Sequence, residues 1–338
     1  MARGRTQDGK GAHGAQGLVV KLDRGYPLVR MPSGEHVRCE HATALVKGAR
    51  VRAVIGDEVS VEIPEGHDKG VITGIAPRRT AFVRRDPAER TAAQVLAANF
   101  DSVIIAEPLA QINYNRLERS LVLAHQTGAD VDVVLTKADL ADGADQVEAV
   151  CRRVRDLAGS SVRVAVLSMH DAASVEGVRA LIAPGSTAIL IGKSGVGKSS
   201  LVNLLVGEDV MQTQSVRDRD GKGRHTTVSR ELLDIPGAGS VVDMPGVRGL
   251  GLWEAEHGLD AAFPDIVALA EGCRFRDCQH GDEPGCAVTA AVSDGRLAQA
   301  RLDSYRNLTD ECEQMRRRQA EALHLRGEKA SDRKVRKS

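Results

Sequence analysis

Apolar and polar positions alternate in short runs from Gly17 to about Ala76. The runs are Gly17-Leu-Val-Val-Lys, Tyr26-Pro-Leu-Val-Arg, His36-Val-Arg-Cys, Ala49-Arg-Val-Arg-Ala-Val, Glu58-Val-Ser-Val-Glu-Ile and Gly70-Val-Ile-Thr-Gly-Ile. A period of two broken by turn residues predicts about five short strands closed into a small barrel of OB or similar type. The pattern then changes. Continuous apolar runs at 99–106, 129–135, 162–167 and 188–191 read as buried strands, and helical periodicity fills the intervals near 115–127, 146–157 and 175–181. Strands alternating with helices predict a parallel sheet with its ligand loops along one edge. A further helical pattern runs from about 293 to 325.

Charge narrows the partners. The 338 residues carry 46 Lys and Arg against 46 Asp and Glu, so any attraction to nucleic acid must come from local patches. The predicted barrel, 17–76, is itself balanced. Basic residues concentrate instead at Arg78, Arg79, Arg84 and Arg85, in what reads as a proline-bounded linker, and over 313–338, where nine Lys and Arg face four Asp and Glu. A solvated surface explains each cluster alone; together they favour contact with a phosphate backbone. Aromatics are 2%, which argues against a broad stacking platform for single-stranded bases. No apolar run is long enough to span a bilayer. Residues 1–16, with Arg3, Arg5 and Lys10 among glycines, lack the apolar core of a signal peptide and read as a disordered basic tail. A cytoplasmic protein without a membrane partner is expected.

The chemistry centres on Gly192, Lys193, Ser194, Gly195, Val196, Gly197, Lys198, Ser199 and Ser200, between a short apolar strand and a helix-like segment. This is G-x-x-x-x-G-K-S in the strand–loop–helix context that a phosphate loop requires. Successive backbone N–H groups cradle phosphates, Lys198 reaches the β- and γ-phosphates, and the Ser199 hydroxyl ligates Mg²⁺. Upstream, Thr136, Lys137, Ala138 and Asp139 end another predicted strand. A carboxylate there accepts two hydrogen bonds from the N1–H and N2 amino groups of guanine, a pair that adenine lacks. Thr136 replaces the commoner Asn and removes an amide that would brace the loop. Ser168 fits a second base-contacting loop. Downstream, Asp243-Met-Pro-Gly246 suits a Mg²⁺ and γ-phosphate switch, and one of Thr226 and Thr227 would complete the Mg²⁺ shell with Ser199. A kinase using ATP through the same phosphate loop is the competing reading, and Asp139 argues against it.

Six cysteines occur, three of them in Cys273-Arg-Phe-Arg-Asp-Cys278-Gln-His280 and Cys286. C-x₄-C-x-H-x₅-C supplies three thiolates and one imidazole, a closed tetrahedral set suited to a structural Zn²⁺.

The order of these motifs is rotated: both base loops precede the phosphate loop, and the switches come after it. With the predicted barrel, Gly223-Arg-His-Thr-Thr227, Asp243-Met-Pro-Gly-Val-Arg248 and the cysteine cluster, the chain resembles the circularly permuted ribosome-assembly GTPases of the RsgA (YjeQ) type over nearly its whole length. The resemblance implies GTP hydrolysis stimulated by the small ribosomal subunit and its rRNA during late maturation. Val247 stands where many GTPases keep a water-orienting Gln. His225, in the polar loop between phosphate loop and switch, is the candidate to position water, and the resemblance points to it too. Expected domains are 17–77 (OB-fold-like barrel), 78–255 (permuted GTPase) and 256–338 (zinc knuckle and helices), acting as a monomer that cycles between GTP and GDP.

Overall fold

The protein is described by a computed structural model covering residues 14–23, 26–49, 51–85, 93–210, 230–244 and 255–335. Its described residues fall into two compact units, one reaching Arg78 and including Arg230 and Glu231, the other holding the rest.

In the first unit, β1 (Ala15–Asp23), β2 (Tyr26–Arg30), β3 (His36–His41), β4 (Glu58–Glu62) and β5 (Gly70–Ile75) form a closed barrel. Neighbours run β1-β2-β3-β5-β4 and return to β1, with β3 and β5 parallel and the other pairs antiparallel. Alternation along each strand points Val19, Val29, Val37, Val59 and Ile72 inward. Within the run 49–54, residues 51–54 are not a strand. A π-turn covers Ala44–Ala49, and the segment after it meets side chains rather than a ladder. Ala53 N–H donates to His41 Nε2 at 2.9 Å, and Val54 N–H donates to Asp57 Oδ2 at 2.8 Å. Arg78 closes this knot. Its Nε and Nη2 each lie 2.7 Å from the fully buried Asp57 carboxylate, and Nη2 also reaches Arg52 O. Arg78 is thus committed to the barrel rather than to a phosphate-contacting strip.

Residues 81–85 of the expected linker form a strand. In the second unit β6 (Ala81–Arg85) pairs antiparallel with β7 (Ala93–Ala98), because Phe82 is buried and carries its strand into the hairpin. The main sheet comprises β8 (Ser102–Pro108), β9 (Asp130–Thr136), β10 (Arg163–Val166), β11 (Thr187–Ile191) and β13 (Ser240–Asp243), with β12 (Arg230–Asp234) between β11 and β13 in sequence. Spatial order is β10-β9-β8-β11-β13-β12. All pairs are parallel except β12–β13, where Leu232, Leu233 and Asp234 pair antiparallel. The parallel strands therefore end on one edge.

Helices α1 (Tyr114–His125), α2 (Ala144–Ala158), α3 (Ala172–Arg179) and α4 (Lys198–Val206) cover the sheet. Asn113 and Asp171 cap α1 and α3 through their side chains. After the sheet come α5 (Glu256–Ala262), α6 (Pro264–Ala270), α7 (Ala287–Ser293) and α8 (Gln299–Val335). They are fastened to α1. Gly258 sits so close that a Cβ there would lie 2.1 Å from Val122 O. Arg301 on α8, buried like Glu118 on α1, donates to Glu118 Oε1 at 3.0 Å and forks onto Asp265. No described helix is long and apolar enough to cross a membrane.

His125 ends α1 with its Nε2 buried and without a hydrogen-bond partner among the described residues. Burial lowers its pKa below the ordinary 6.5. A depressed folded-state pKa gives stability that is present above the unfolded value and lost as pH falls through the folded one. Thermal melts should therefore fall as pH drops below about 6.5, and His125→Leu should flatten part of that fall. An identical slope in the variant would assign the loss to other groups.

Candidate functional site

The phosphate loop occupies the middle of the sheet edge. β11 delivers Gly192 at φ 148°, where an added Cβ would stand 2.5 Å from Ala106 O on the neighbouring strand. Gly192→Ala is accordingly expected to push the loop off β8 and to cost at least about tenfold in nucleotide affinity, read by titration with a fluorescent nucleotide. Val196 plugs into the core below the loop. Lys198, buried at the start of α4, curls back so that Nζ donates to Gly192 O at 2.9 Å. Ser199 and Ser200 sit in the first turn of α4, beside the helix N-terminus, where an anion is favoured.

The base loop meets it directly. Thr136 is fully buried, and its hydroxyl donates to Val196 O at 2.7 Å, with Glu107 O at 3.3 Å. The brace expected to be missing without an Asn amide is supplied by this threonine. Lys137 takes a left-handed conformation, φ 56°, and its ammonium donates to Gly195 O at 2.7 Å. Ala138 N–H donates to Leu167 O at 3.1 Å, tying this loop to the one after β10. Asp139 is exposed in the 3₁₀ turn Ala138–Leu140, open to a ligand. In the second loop Ser168 N–H donates to Ser174 Oγ at 3.1 Å, and Ser168 Oγ accepts from His170 N–H at 3.3 Å. Thr136, Lys137, Ala138, Asp139, Ser168 and the phosphate loop are thus brought together as the strand pattern predicts.

Two contributors carried no motif. Met169 lines a cavity of about 530 Å³ with Ser200, Asn203 and Leu204, so an apolar side chain borders the space beside α4. Arg116 grips the buried Glu107 carboxylate at the end of β8, and it borders a second cavity of about 340 Å³ with Lys137, Lys193 and Gly195. Position just past the end of β10 was the available signal for Met169, whereas Arg116, in the first turn of α1, had none.

Asp243 is buried at the end of β13, and the next N–H, of Met244, donates to Leu190 O at 3.1 Å. Gly246, His225, Thr226 and Thr227 lie outside the described residues.

Cys273, Cys278, His280 and Cys286 form a separate centre, with all four ligand atoms within 4.8 Å of one another. His280 Nδ1 lies 3.6 Å from both Cys273 Sγ and Cys286 Sγ, and those sulfurs are 3.9 Å apart. The sequence folds this way because Glu283 accepts from Gln279 and Gly281 N–H, turning the loop, while Arg306 on α8 donates to His280 O. The cluster could hold a metal ion.

Comparison with known proteins agrees with this geometry. A family model described as RsgA GTPase matches residues 75–253. A protein of Streptomyces avermitilis named small ribosomal subunit biogenesis GTPase RsgA is 46% identical over 298 residues, covering 87% of this chain and 79% of its own. Its namesake in Streptomyces coelicolor is 44% identical, covering 87% and 80%. Among solved structures, YjeQ from Thermotoga maritima superposes with a TM-score of 0.66 at 25% identity, covering 88% of this chain and 98% of that one. YloQ, titled a circularly permuted GTPase, gives 0.63 at 24%, covering 91% and 98%. The second of these speaks to fold alone.

Proposed function

The chain belongs to the RsgA GTPases, and from that premise we propose that it binds and hydrolyses GTP while engaged with the small ribosomal subunit late in its maturation. The subunit raises the rate, and the protein acts as a monomer in the cytoplasm. The observation that carries this reading is the convergence of base loop and phosphate loop through the Thr136–Val196 and Lys137–Gly195 hydrogen bonds. The relatives' printed names supply the subunit.

Each group has a role. Asp139 accepts from guanine N1–H and N2, and Lys137, already bonded to the phosphate loop, lies along the base. Ser168 orders the second base loop. The N–H groups between residues 192 and 200 receive the phosphates. Lys198 exchanges its bond to Gly192 O for β- and γ-phosphate oxygens. Ser199, one of Thr226 and Thr227, and Asp243 suit Mg²⁺, which when bound neutralises charge between the β- and γ-phosphates. Gly246 N–H reads the γ-phosphate. Val247 offers no group to orient water, so His225 takes that part, and turnover stays slow until a partner aligns this histidine with the substrate.

The metal of the cysteine centre is read as zinc. Tetrahedral Zn²⁺ with bonds near 2.3 Å to sulfur and 2.0 Å to nitrogen implies ~3.8 Å between sulfurs and ~3.5 Å from sulfur to nitrogen. The distances among Cys273, His280 and Cys286, 3.9 and 3.6 Å, fit such a set, and three thiolates with one imidazole are donors that suit zinc. Residues 17–77, 78–255 and 256–338 are read as barrel, GTPase and zinc-helical domains, with the flanking two gripping rRNA.

Competition binding tests the base assignment. GTP should displace a labelled guanine nucleotide at least about 100-fold better than ATP, because adenine leaves the Asp139 carboxylate without its two donors. Asp139→Ala should erase most of that preference. Equal affinities in the wild type would favour a kinase-like site.

A further inference from the structure

Aromatic side chains are scarce in this protein, at 2% of residues. Three of the four phenylalanines, Phe82, Phe100 and Phe263, are 0–1% exposed. The fourth, Phe275, is 43% exposed at the tip of the loop between the metal-ligating residues Cys273 and Cys278. Arg274 and Arg276 flank it, both exposed, and Arg274 Cζ lies 5.5 Å from the centre of the Phe275 ring.

The loop is held from both sides. Arg274 N–H donates to Gly285 O at 3.1 Å, across to the half of the knuckle that carries Cys286. Cys278 N–H closes the turn onto Phe275 O at 3.4 Å. A ring fixed at its backbone and standing in water loses little freedom on binding, so its exposure costs the free protein more than it costs a complex.

We infer that Phe275, with the Arg274 guanidinium beside it, is a stacking site for an unpaired nucleobase of RNA. Electrostatics alone does not select this partner, since Glu271, Asp277 and Asp282 stand on the same knuckle as the two arginines. The aromatic face is the distinguishing chemistry. Every base offers a π-face, and it is free in loops and bulges but hidden in an RNA duplex. The Arg274 guanidinium beside the ring adds a cation–π contact, and Arg276 adds a second positive charge for the phosphates. A protein partner fits less well, because Phe275 is the one exposed large apolar side chain among residues 271–286, without the surrounding apolar surface of a protein hot spot.

The inference rests on the small subunit as partner, and the test separates the two claims. Full-length wild type, Phe275→Ala, Phe275→Leu and Phe275→Trp are titrated against small ribosomal subunits and against protein-free RNA extracted from them. Metal content and basal GTP hydrolysis serve as controls for folding. The Ala and Leu variants should bind both about tenfold more weakly, while the Trp variant holds wild-type affinity and all four keep their metal. A Leu variant that binds like wild type overturns stacking, since an apolar contact would then suffice. Weakening on subunits but not on RNA assigns the contact to a ribosomal protein and overturns the inference. Wild type that binds neither sinks the parent reading along with it.

Discussion

Lys198→Ala is expected to lower GTP hydrolysis by about 10²–10³-fold, the loss seen when one preorganised donor is removed from developing charge. The geometry explains why the loss should be large. Lys198 is buried in the first turn of α4, and its ammonium rests on Gly192 O, 2.9 Å away, inside the phosphate loop. The charge is therefore in place before the substrate arrives and needs little reorganisation to meet the β- and γ-phosphates. Alanine is a good helix residue, and the loop keeps its other braces, Thr136 to Val196 O and Lys137 to Gly195 O. The melting temperature should therefore move by no more than a few degrees while turnover collapses. Unchanged turnover would mean that the loop no longer works on a nucleotide.

The second large effect concerns stability rather than chemistry. Removing the metal with a chelator, or replacing Cys286 by serine, should lower the melting temperature by roughly 10 °C and release one metal ion per chain. Residues 271–286 have little else to order them. Without the metal, three thiols and an imidazole would crowd within 4.8 Å, held by a few backbone bonds such as Arg274 N–H to Gly285 O and by Glu283 and Arg306 at the turn. The damage should reach α7, whose first turn is capped by Cys286. Nucleotide affinity should change little, because the base and phosphate loops are tied to the sheet and not to the knuckle. A melt insensitive to chelation would contradict a structural metal.

Much of this site was legible in the sequence, for a physical reason. The phosphate loop, the base loop and the cysteine spacing each demand particular residue types at fixed local distances, and the parallel-sheet rule places strand-end loops together. Met169 and Arg116 were harder to see, because their roles depend on neighbours far away in sequence. Thr136 was legible by position, but the bond its hydroxyl makes was not. Its hydroxyl reaches a carbonyl sixty residues later, which no local pattern encodes. The barrel failed at 49–54 for a similar reason. Alternation there resembles a strand, yet Asp57, His41 and Arg78 take up the backbone groups a ladder would have used. Residues 81–85 read as linker because the antiparallel partner of that short run lies beyond an intervening polar stretch. The way α8 is locked to α1 through Arg301 and Glu118 had no sequence signal at all, since the two residues are 183 positions apart.

The second switch sequence leads straight toward α5, and that order alone suggests that a moving switch could pull on the C-terminal helices. The packing of α5 opposes this. Gly258 lies against Val122 O, and its N–H donates to Gln126 Oε1 at 2.8 Å. The first described helix after Asp243 is therefore anchored to α1, in the same unit as residues 192–200.

The measurement that tests the central claim is GTP hydrolysis by the purified full-length protein, with and without small ribosomal subunits. Slow turnover alone and a marked rise when subunits are added, lost in Lys198→Ala, is the expected result. Robust turnover that is indifferent to subunits would contradict it, leaving a GTPase whose partner lies elsewhere.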